Sequence, residues 1–285
     1  QVTNPPVDPI REEIVMSLIS YVGPKPNLLG VDYETVFKRL ELSQPILDFE
    51  DYDSLVNISN LSQGTFDSEI IDITFPVDEG PSGLERALSV IAKRAERAVL
   101  NGKTILILCD KGVDSARAAI PALLATSSVH HHLVRNGLRT KTGLVVSTGS
   151  AREVHHFALL AGYGAEAVHP WLTMETLTTV TAGSNQETLT HQTNFIKAVG
   201  KGLNKVMSKM GICTYQSYCG AQIFEAIGLN TSFVSRFFTG TSSNVEGIGL
   251  EEIAVETINE HSRGFSEKDP TLVAALDAGG EYAYR

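Results

Sequence analysis

Short apolar runs alternate with helix-like segments through the middle of this chain, and the alternation limits its fold more than any other feature. Two of the runs, 104–109 and 143–147, lie between turn residues. Such a run suits a strand that is buried on both faces, as in a parallel sheet. The clearest helix, 82–100, carries apolar residues at a 3.6-residue period. The sequence therefore predicts an α/β fold with βα repeats and a parallel sheet.

The rest of the chain supports this pattern with varying strength. We predict further strands at 69–75 and 165–169 and a last strand at 211–215. The predicted helices are 11–20, 115–136, the segment after a Ser150–Glu153 capping box, 195–210, 222–227 and 250–261. Pro121 either kinks the second of these helices or marks its true start. The segment 174–192 is rich in Thr and Ser and poorly periodic, and we predict a loop there.

Three regions follow from this reading. Residues 1–65 are predicted to form an irregular, Pro-rich amino-terminal arm that packs on the core. Residues 66–265 are predicted to form the βα-repeat core, and 266–285 a carboxy-terminal connector. Neither end carries a targeting or stop signal, and both read like cuts through a longer polypeptide.

Composition excludes several classes of function. The net charge of −10 argues against a nucleic-acid surface, which needs clustered Lys and Arg. A run of about 18 apolar residues is missing, so we expect no membrane span. The three cysteines have no scaffold spacing and fit an intracellular, reducing compartment, either cytoplasm or plastid.

Five of the eight histidines are concentrated in two helix-like segments, as His130–His132 and His155–His156. Consecutive residues on a helix point about 100° apart, whereas metal ligands need spacings of three or four. We therefore favour packing or interface histidines over a metal site. A metal site would still be possible if one histidine from each group came together in the folded chain.

Several side chains follow predicted strands, where the sites of α/β barrels lie. Asp110 and Lys111 could act as a base and its ion-pair partner, although a plain turn salt bridge is favoured. The turn Thr148-Gly149-Ser150 before a helix could hold an anion. The other strand-end residues are Thr74, Ser147, His169, Gln216 and Ser217.

A glycine pattern and the cysteines add no cofactor site. Gly162-Tyr-Gly-Ala-Glu-Ala167 matches a dinucleotide fingerprint, but its glycines follow a helix and open a strand, which is the reverse of the required order. Cys213 and Cys219 have no further cysteine nearby, which disfavours an iron–sulfur cluster.

Eight segments of the chain resemble the central domain of the glutamate synthase large subunit. They lie in the expected order and are 4–13, 23–29, 118–124, 129–139, 152–168, 205–211, 215–225 and 247–251. The resemblance implies a full enzyme that makes L-glutamate from glutamine and 2-oxoglutarate. It implies a glutaminase domain that releases ammonia, an FMN barrel that uses it and a 3Fe–4S cluster that supplies electrons.

The resemblance also implies a role for the central domain itself. It predicts a degenerate or incomplete (β/α) barrel-like sheet with helices around it, and a connector at 266–285 that leads to an FMN domain. The expected partners are the glutaminase and FMN domains, with a small electron-donating subunit or ferredoxin in the full enzyme. The cysteine nucleophile, the FMN loop and the three-cysteine motif are missing, so no catalytic, cofactor or metal residue is carried over, and the isolated chain is predicted to be inactive.

Two functional hypotheses remain open. In the first, the domain holds the glutaminase and FMN domains in register and contributes to an ammonia tunnel. Thr74 is then the candidate tunnel residue, with Asp110 and Lys111 as further tunnel or domain-interface candidates, although an ordinary strand-end threonine is the favoured reading of Thr74. In the second, the chain is a free-standing barrel enzyme that binds FMN or a phosphorylated ligand, which a flavin spectrum of the purified chain would reveal. A pure interaction module is a third, weaker reading.

Overall fold

A four-stranded parallel sheet forms the centre of the chain. The structure is a computed structural model that describes residues 14–25, 38–181 and 185–265. Its strands are β1 (Ser20–Val22), β2 (Leu40–Leu42), β3 (Ser68–Asp72), β4 (Thr74–Pro76), β5 (Ile105–Cys109), β6 (Arg117–Ala119), β7 (Gly143–Ser147), β8 (Ala167–His169), β9 (Glu225–Leu229) and β10 (Ser242–Ile248). Its helices are α1 (Phe49–Val56), α2 (Ile58–Leu61), α3 (Gly80–Leu100), α4 (Ala122–Arg135), α5 (Val154–Gly162), α6 (Trp171–Val180), α7 (Asn185–Met210), α8 (Tyr215–Tyr218), α9 (Thr231–Phe237) and α10 (Leu250–Gly264).

The central sheet has the strand order β3-β5-β7-β8, and all three pairings are parallel. Helices α3, α4 and α5 lie in the connections between consecutive strands. This confirms the predicted α/β fold with a parallel sheet and surrounding helices. In the described part of the chain the sheet is open, with β3 and β8 as its outer strands, and no closed barrel is formed. Separate two-stranded sheets pair β1 with β2, β4 with β6, and β9 with β10.

The sheet is buried on both faces because its strands alternate between two cores. Leu106 and Leu108 belong to a hydrophobic cluster with residues of α3 and α4. Ile105 and Ile107 belong to another, with Val22 and with Leu55 of α1. Side chains of a strand point alternately to opposite faces. A strand covered on both sides therefore reads as one continuous apolar run, which is why the runs were recognisable in the sequence.

The amino-terminal region is more regular than predicted. Residues 1–13 and 26–37 lie outside the described residues, as does the predicted connector 266–285. In the described part, the predicted helix 11–20 is helical only at Ile14 and Val15, because Ser17 bridges to Thr214 and Ser20 begins β1. Helices α1 and α2 follow, so this region is not simply an irregular arm. The division into three regions stays a prediction.

The predicted loop at 174–192 is also wrong, because α6 and the start of α7 occupy its described residues. Threonine disfavours helix by competing for backbone partners. In α6 that competition is resolved inside the helix, since hydroxyls donate to carbonyls four residues earlier. The bonds are Thr176 to Leu172 at 2.7 Å, Thr178 to Met174 at 3.0 Å and Thr179 to Glu175 at 3.0 Å.

Other boundaries differ for reasons of tertiary pairing. The predicted helix 222–227 is wrong, since Glu225 begins β9, which pairs in parallel with β10. The predicted strand 211–215 is wrong too, apart from the single bridge at Thr214. Pro121 marks the true start of α4, which begins at Ala122. The predicted Ser150–Glu153 capping box does not form, because α5 begins only at Val154.

No helix within residues 14–25, 38–181 and 185–265 is long and apolar enough to cross a membrane.

Candidate functional site

The carboxyl ends of the four central strands form one row of side chains. The register pairs Asp72 with Cys109, Cys109 with Ser147, and Ser147 with His169. Ligand sites of open α/β sheets lie in the crevice beyond these ends. The strand-end positions predicted for Asp110, Thr148 and His169 are therefore brought to one edge of the sheet. Gln216 is not, since it lies in α8.

Asp110 is the most buried carboxylate at this edge, with 4% of its surface exposed. It accepts hydrogen bonds from Thr148 Oγ1 at 2.5 Å, from the backbone N–H of Gly149 at 3.1 Å and from Trp171 Nε1 at 2.6 Å. Burial raises the pKa of this carboxyl, and the three donors oppose that rise. The chain itself therefore supplies three hydrogen-bond donors to this carboxyl group.

The turn Thr148-Gly149-Ser150 was predicted to hold an anion, and it does contact one. Its occupant is the Asp110 carboxylate, through Thr148 and Gly149. The N–H of Ser150 donates to Thr148 Oγ1 at 3.1 Å. A phosphate at this turn would have to displace Asp110 and would meet its charge.

Lys111 does not pair with Asp110. Its Nζ lies 2.8 Å from Glu175 Oε1 on α6 and 5.6 Å from the centre of the Trp171 ring. Both readings of an Asp110–Lys111 ion pair are therefore wrong. The reason is tertiary, since α6 packs beside the strand ends and offers Lys111 a carboxylate. Trp171, the single tryptophan, was missed by sequence reasoning, and its place just after the last predicted strand was the available signal.

Thr74 lies in a second polar cluster beside the sheet. The predicted strand 69–75 breaks at Ile73, so Thr74 begins β4 rather than ending β3. Its Oγ1 accepts from Arg117 Nε at 2.8 Å, and its N–H donates to Asp72 Oδ1 at 2.9 Å. All three residues line a pocket of about 270 Å³ that is open to solvent and has α3 as its other wall.

A larger cavity of about 590 Å³ opens next to Asp110. Its walls come from the strand ends, from α5 and from the start of α6 and the end of α10. The lining is mostly apolar, and its ionisable side chains are Asp110, Arg152, His156, Glu260 and His261.

The histidine triplet has three separate partners. His130 Nδ1 accepts from Arg139 Nε at 3.1 Å, the His131 ring contacts Gln222 at 2.8 Å, and His132 contacts Glu96 at 2.7 Å. Burial lowers the pKa of His130 to about 3 and that of His131 to about 4. The rings thus fasten α4 to three different neighbours, as expected for packing histidines.

His169 at the end of β8 is held in the same way. Its Nδ1 lies 2.9 Å from the carbonyl oxygen of Leu47, and its ring stacks on Tyr52 with centroids 4.4 Å apart. Burial lowers its pKa.

Cys219, which donates to the carbonyl of Ala165 at 3.4 Å, has a thiol pKa raised to about 12 by burial. Within the three described ranges, no three His, Cys, Asp or Glu side chains are grouped to hold a metal.

Comparison with known proteins gives a consistent result. Residues 1–230 match the family model "Glutamate synthase central domain". The chain is 42% identical to "Glutamate synthase [NADH]" of Schizosaccharomyces pombe, over 100% of the chain and 14% of that relative. It is 43% identical to the Saccharomyces cerevisiae protein of the same name, with the same coverage.

A bacterial relative extends the match. "Glutamate synthase [NADPH] large chain" of Bacillus subtilis is 40% identical over 100% of the chain and 18% of its own length. The chain thus spans less than a fifth of the length of these relatives. Among solved structures, a flavocytochrome b2 mutant with benzoylformate aligns with 58% of the chain at a TM-score of 0.38 and 14% identity, too weak to support any inference. From the sequence matches, the chain belongs to the glutamate synthase central domain family.

Proposed function

We propose that this chain is the non-catalytic central domain of a glutamate synthase, which makes L-glutamate from glutamine and 2-oxoglutarate. In this role it holds the glutaminase and FMN domains in register and contributes to the path that ammonia takes between them. The observation that carries the proposal is the internal pairing at the carboxyl edge of the sheet. Asp110, the buried carboxylate where a barrel enzyme would place its chemistry, is bonded to Thr148, Gly149 and Trp171.

The cofactors of the full enzyme do not fit the residues described in this chain. The turn that could bind the phosphate of FMN is filled by Asp110. The cysteines do not form a cluster motif: Cys109 ends β5, Cys213 is exposed and Cys219 is bonded to Ala165. We therefore assign both FMN and the 3Fe–4S cluster to other parts of the polypeptide, together with the contacts to ferredoxin or a small electron-donating subunit.

The cavity beside Thr74 supports a contribution to ammonia transfer. Free ammonia would protonate and escape into solvent, so an enclosed path that excludes water has a clear use. Thr74 offers a small side chain with a hydroxyl at the wall of a 270 Å³ space. Its hydroxyl is oriented by Arg117, and it is only 4% exposed. Asp110 and Lys111 remain candidates for contact with a neighbouring domain.

A substitution that fills this cavity tests the proposal in the full-length enzyme. We expect Thr74→Phe to lower glutamate synthesis from glutamine several-fold, because the larger ring blocks the space. Synthesis from added ammonium should be retained, because ammonia then reaches the FMN domain from solvent. The measurement is the ratio of the two rates.

Two controls accompany that ratio. Thr190→Phe places the same ring on the exposed face of α7 and should leave both rates unchanged. Ammonium-dependent synthesis by Thr74→Phe itself reports whether the enzyme still folds. Glutamine-dependent synthesis that stays at the wild-type level would refute the assignment of Thr74.

The larger cavity favours the second hypothesis, a free-standing barrel enzyme. Its volume of about 590 Å³ and its place at the strand ends suit a small ligand. The turn Thr148-Gly149-Ser150 already binds the Asp110 carboxylate, which counts against FMN or another phosphorylated ligand there. The central-domain role is therefore the better-supported proposal.

A further inference from the structure

Helix α7 carries four lysines at intervals of four residues. They are Lys197, Lys201, Lys205 and Lys209, and all four are exposed. Residues four apart share one face of a helix. With a rise of 1.5 Å per residue, this lysine row is about 18 Å long. It lies on the exposed face of a segment, 195–210, that the sequence predicted to be helical.

The opposite face of α7 is fixed in the core. Val199, Leu203 and Met207 are buried in a hydrophobic cluster that includes Phe157 of α5. The apolar face of the helix is thus already covered. The lysine row cannot turn inward, and α7 has no free apolar face to insert into a membrane surface.

None of the four lysines lies within ion-pair distance of a carboxylate among the residues that the structure describes. Some other cations of the described residues do pair, as in Lys103 with Asp67 at 2.7 Å and Arg94 with Glu69 at 3.0 Å. Like charges four residues apart destabilise a helix. An unpaired lysine row in a chain of net charge −10 therefore indicates an acidic partner.

Helix α10 of the same chain carries a complementary row. Glu252, Glu256 and Glu260 are exposed and also four residues apart, over about 12 Å. Glu252 accepts from the N–H of Gly249 at 2.8 Å, which caps the helix. Glu256 and Glu260 form no ion pair within the described part of the chain, so this glutamate row does not pair with the lysine row of its own copy.

We propose that the lysine row of α7 binds the glutamate row of α10 in a second copy of this chain. The equal spacing lets carboxylates of one helix face ammonium groups of the other, and it relieves the like-charge repulsion in both. A nucleic acid would satisfy the lysines alone and leave the glutamates unpaired. The contact joins two different surfaces, so it closes only as a pair of such contacts or as a ring. It adds self-association to the role proposed above and does not depend on it.

Charge reversal in both rows tests the contact by sedimentation velocity of the 285-residue chain. At low ionic strength we expect the weight-average sedimentation coefficient of the wild type to rise with concentration. At about 1 M salt, where the Debye length is about 3 Å, this rise should vanish. The direction of the salt effect is informative. If repulsion between chains of net charge −10 controlled association, added salt would screen that repulsion and increase association.

The variants are Lys201→Glu with Lys205→Glu, and Glu256→Lys with Glu260→Lys. Each should remain monomeric alone, and an equimolar mixture of the two should associate again. Glu252 is left in place because it caps α10. Lys93→Glu with Arg97→Glu, an exposed pair four apart on α3, lowers the net charge by the same amount as the α7 variant and should keep wild-type association. A wild type that is monomeric at every concentration, or a mixture that fails to associate, would overturn the proposal. A loss of association in the α3 control as large as that in the α7 variant would overturn it too.

Discussion

At the residue scale, the sequence predicted which side chains lie at the strand ends, but it did not predict which side chains they contact. The sequence placed Asp110, Thr148 and His169 at strand ends, and the register brings all three positions to one edge. It could not show that Lys111 pairs with Glu175, because that choice depends on how α6 packs beside the strands. Side-chain partners form across long sequence separations, and a local pattern carries no information about them.

The buried histidines of α4 lead to a prediction about acid stability. The pKa of His130 is lowered to about 3 by burial and by the nearby Arg139, against about 6.5 in an unfolded chain. Below about pH 6.5 the unfolded chain therefore binds a proton that the folded chain does not. The contribution of neutral His130 is fully present above that pH and is lost as the pH falls toward 3, on the order of 2 kcal/mol by about pH 4.5.

His130→Asn keeps an acceptor for Arg139 but cannot take up this proton. We expect its free energy of unfolding in urea to fall less between about pH 7 and pH 4.5 than that of the wild type. His155→Asn, at an exposed ring, serves as the control and should follow the wild-type slope. Equal slopes for His130→Asn and the wild type would show that this ring is not held neutral by the fold.

At the element scale, strong periodicity predicted helices and continuous apolar runs predicted strands. The structure confirms α3, β5 and β7 close to their predicted bounds. The failures share one cause, which is tertiary compensation. Threonine hydroxyls bond back into α6, and β9 is a strand only because β10 pairs with it. Neither effect has a local signal in the sequence.

The packing of α7 on α5 gives a prediction at this scale. A Cβ at Gly202 would lie 2.8 Å from Cγ1 of Val154 and closer still to its Cγ2. Val154 is β-branched and has little rotamer freedom in a helix. Gly202→Ala should therefore destabilise the chain by about 1–3 kcal/mol through overpacking, although alanine favours helix over glycine by about 1 kcal/mol.

Gly264→Ala on α10 is the matched control, because no atom lies within 4 Å of a Cβ there. It should leave the thermal midpoint unchanged or raise it, while Gly202→Ala lowers it. A midpoint for Gly202→Ala at or above that of the wild type would contradict the close packing of the two helices.

At the scale of the whole molecule, the chain is an open parallel sheet covered on both faces. Buried polar side chains at the strand ends are hydrogen-bonded, Asp110 to the Trp171 side chain and His169 to the backbone carbonyl of Leu47. Such satisfied networks rigidify a fold. This is the behaviour expected of a scaffold, and the chain spans less than a fifth of the length of its glutamate synthase relatives. The family was recognisable from motifs, whereas an open sheet without barrel closure needed the coordinates.

Asp110→Asn in the full-length enzyme tests the absence of chemistry at this edge most directly. The amide keeps an acceptor for Gly149 and Trp171, so we expect the fold to persist. The turnover number for glutamate synthesis from ammonium should stay within about twofold of the wild type, since a structural anion takes no part in proton transfer. A fall of about a hundredfold or more, the size of a lost general acid or base, with an unchanged circular dichroism spectrum would contradict the non-catalytic role.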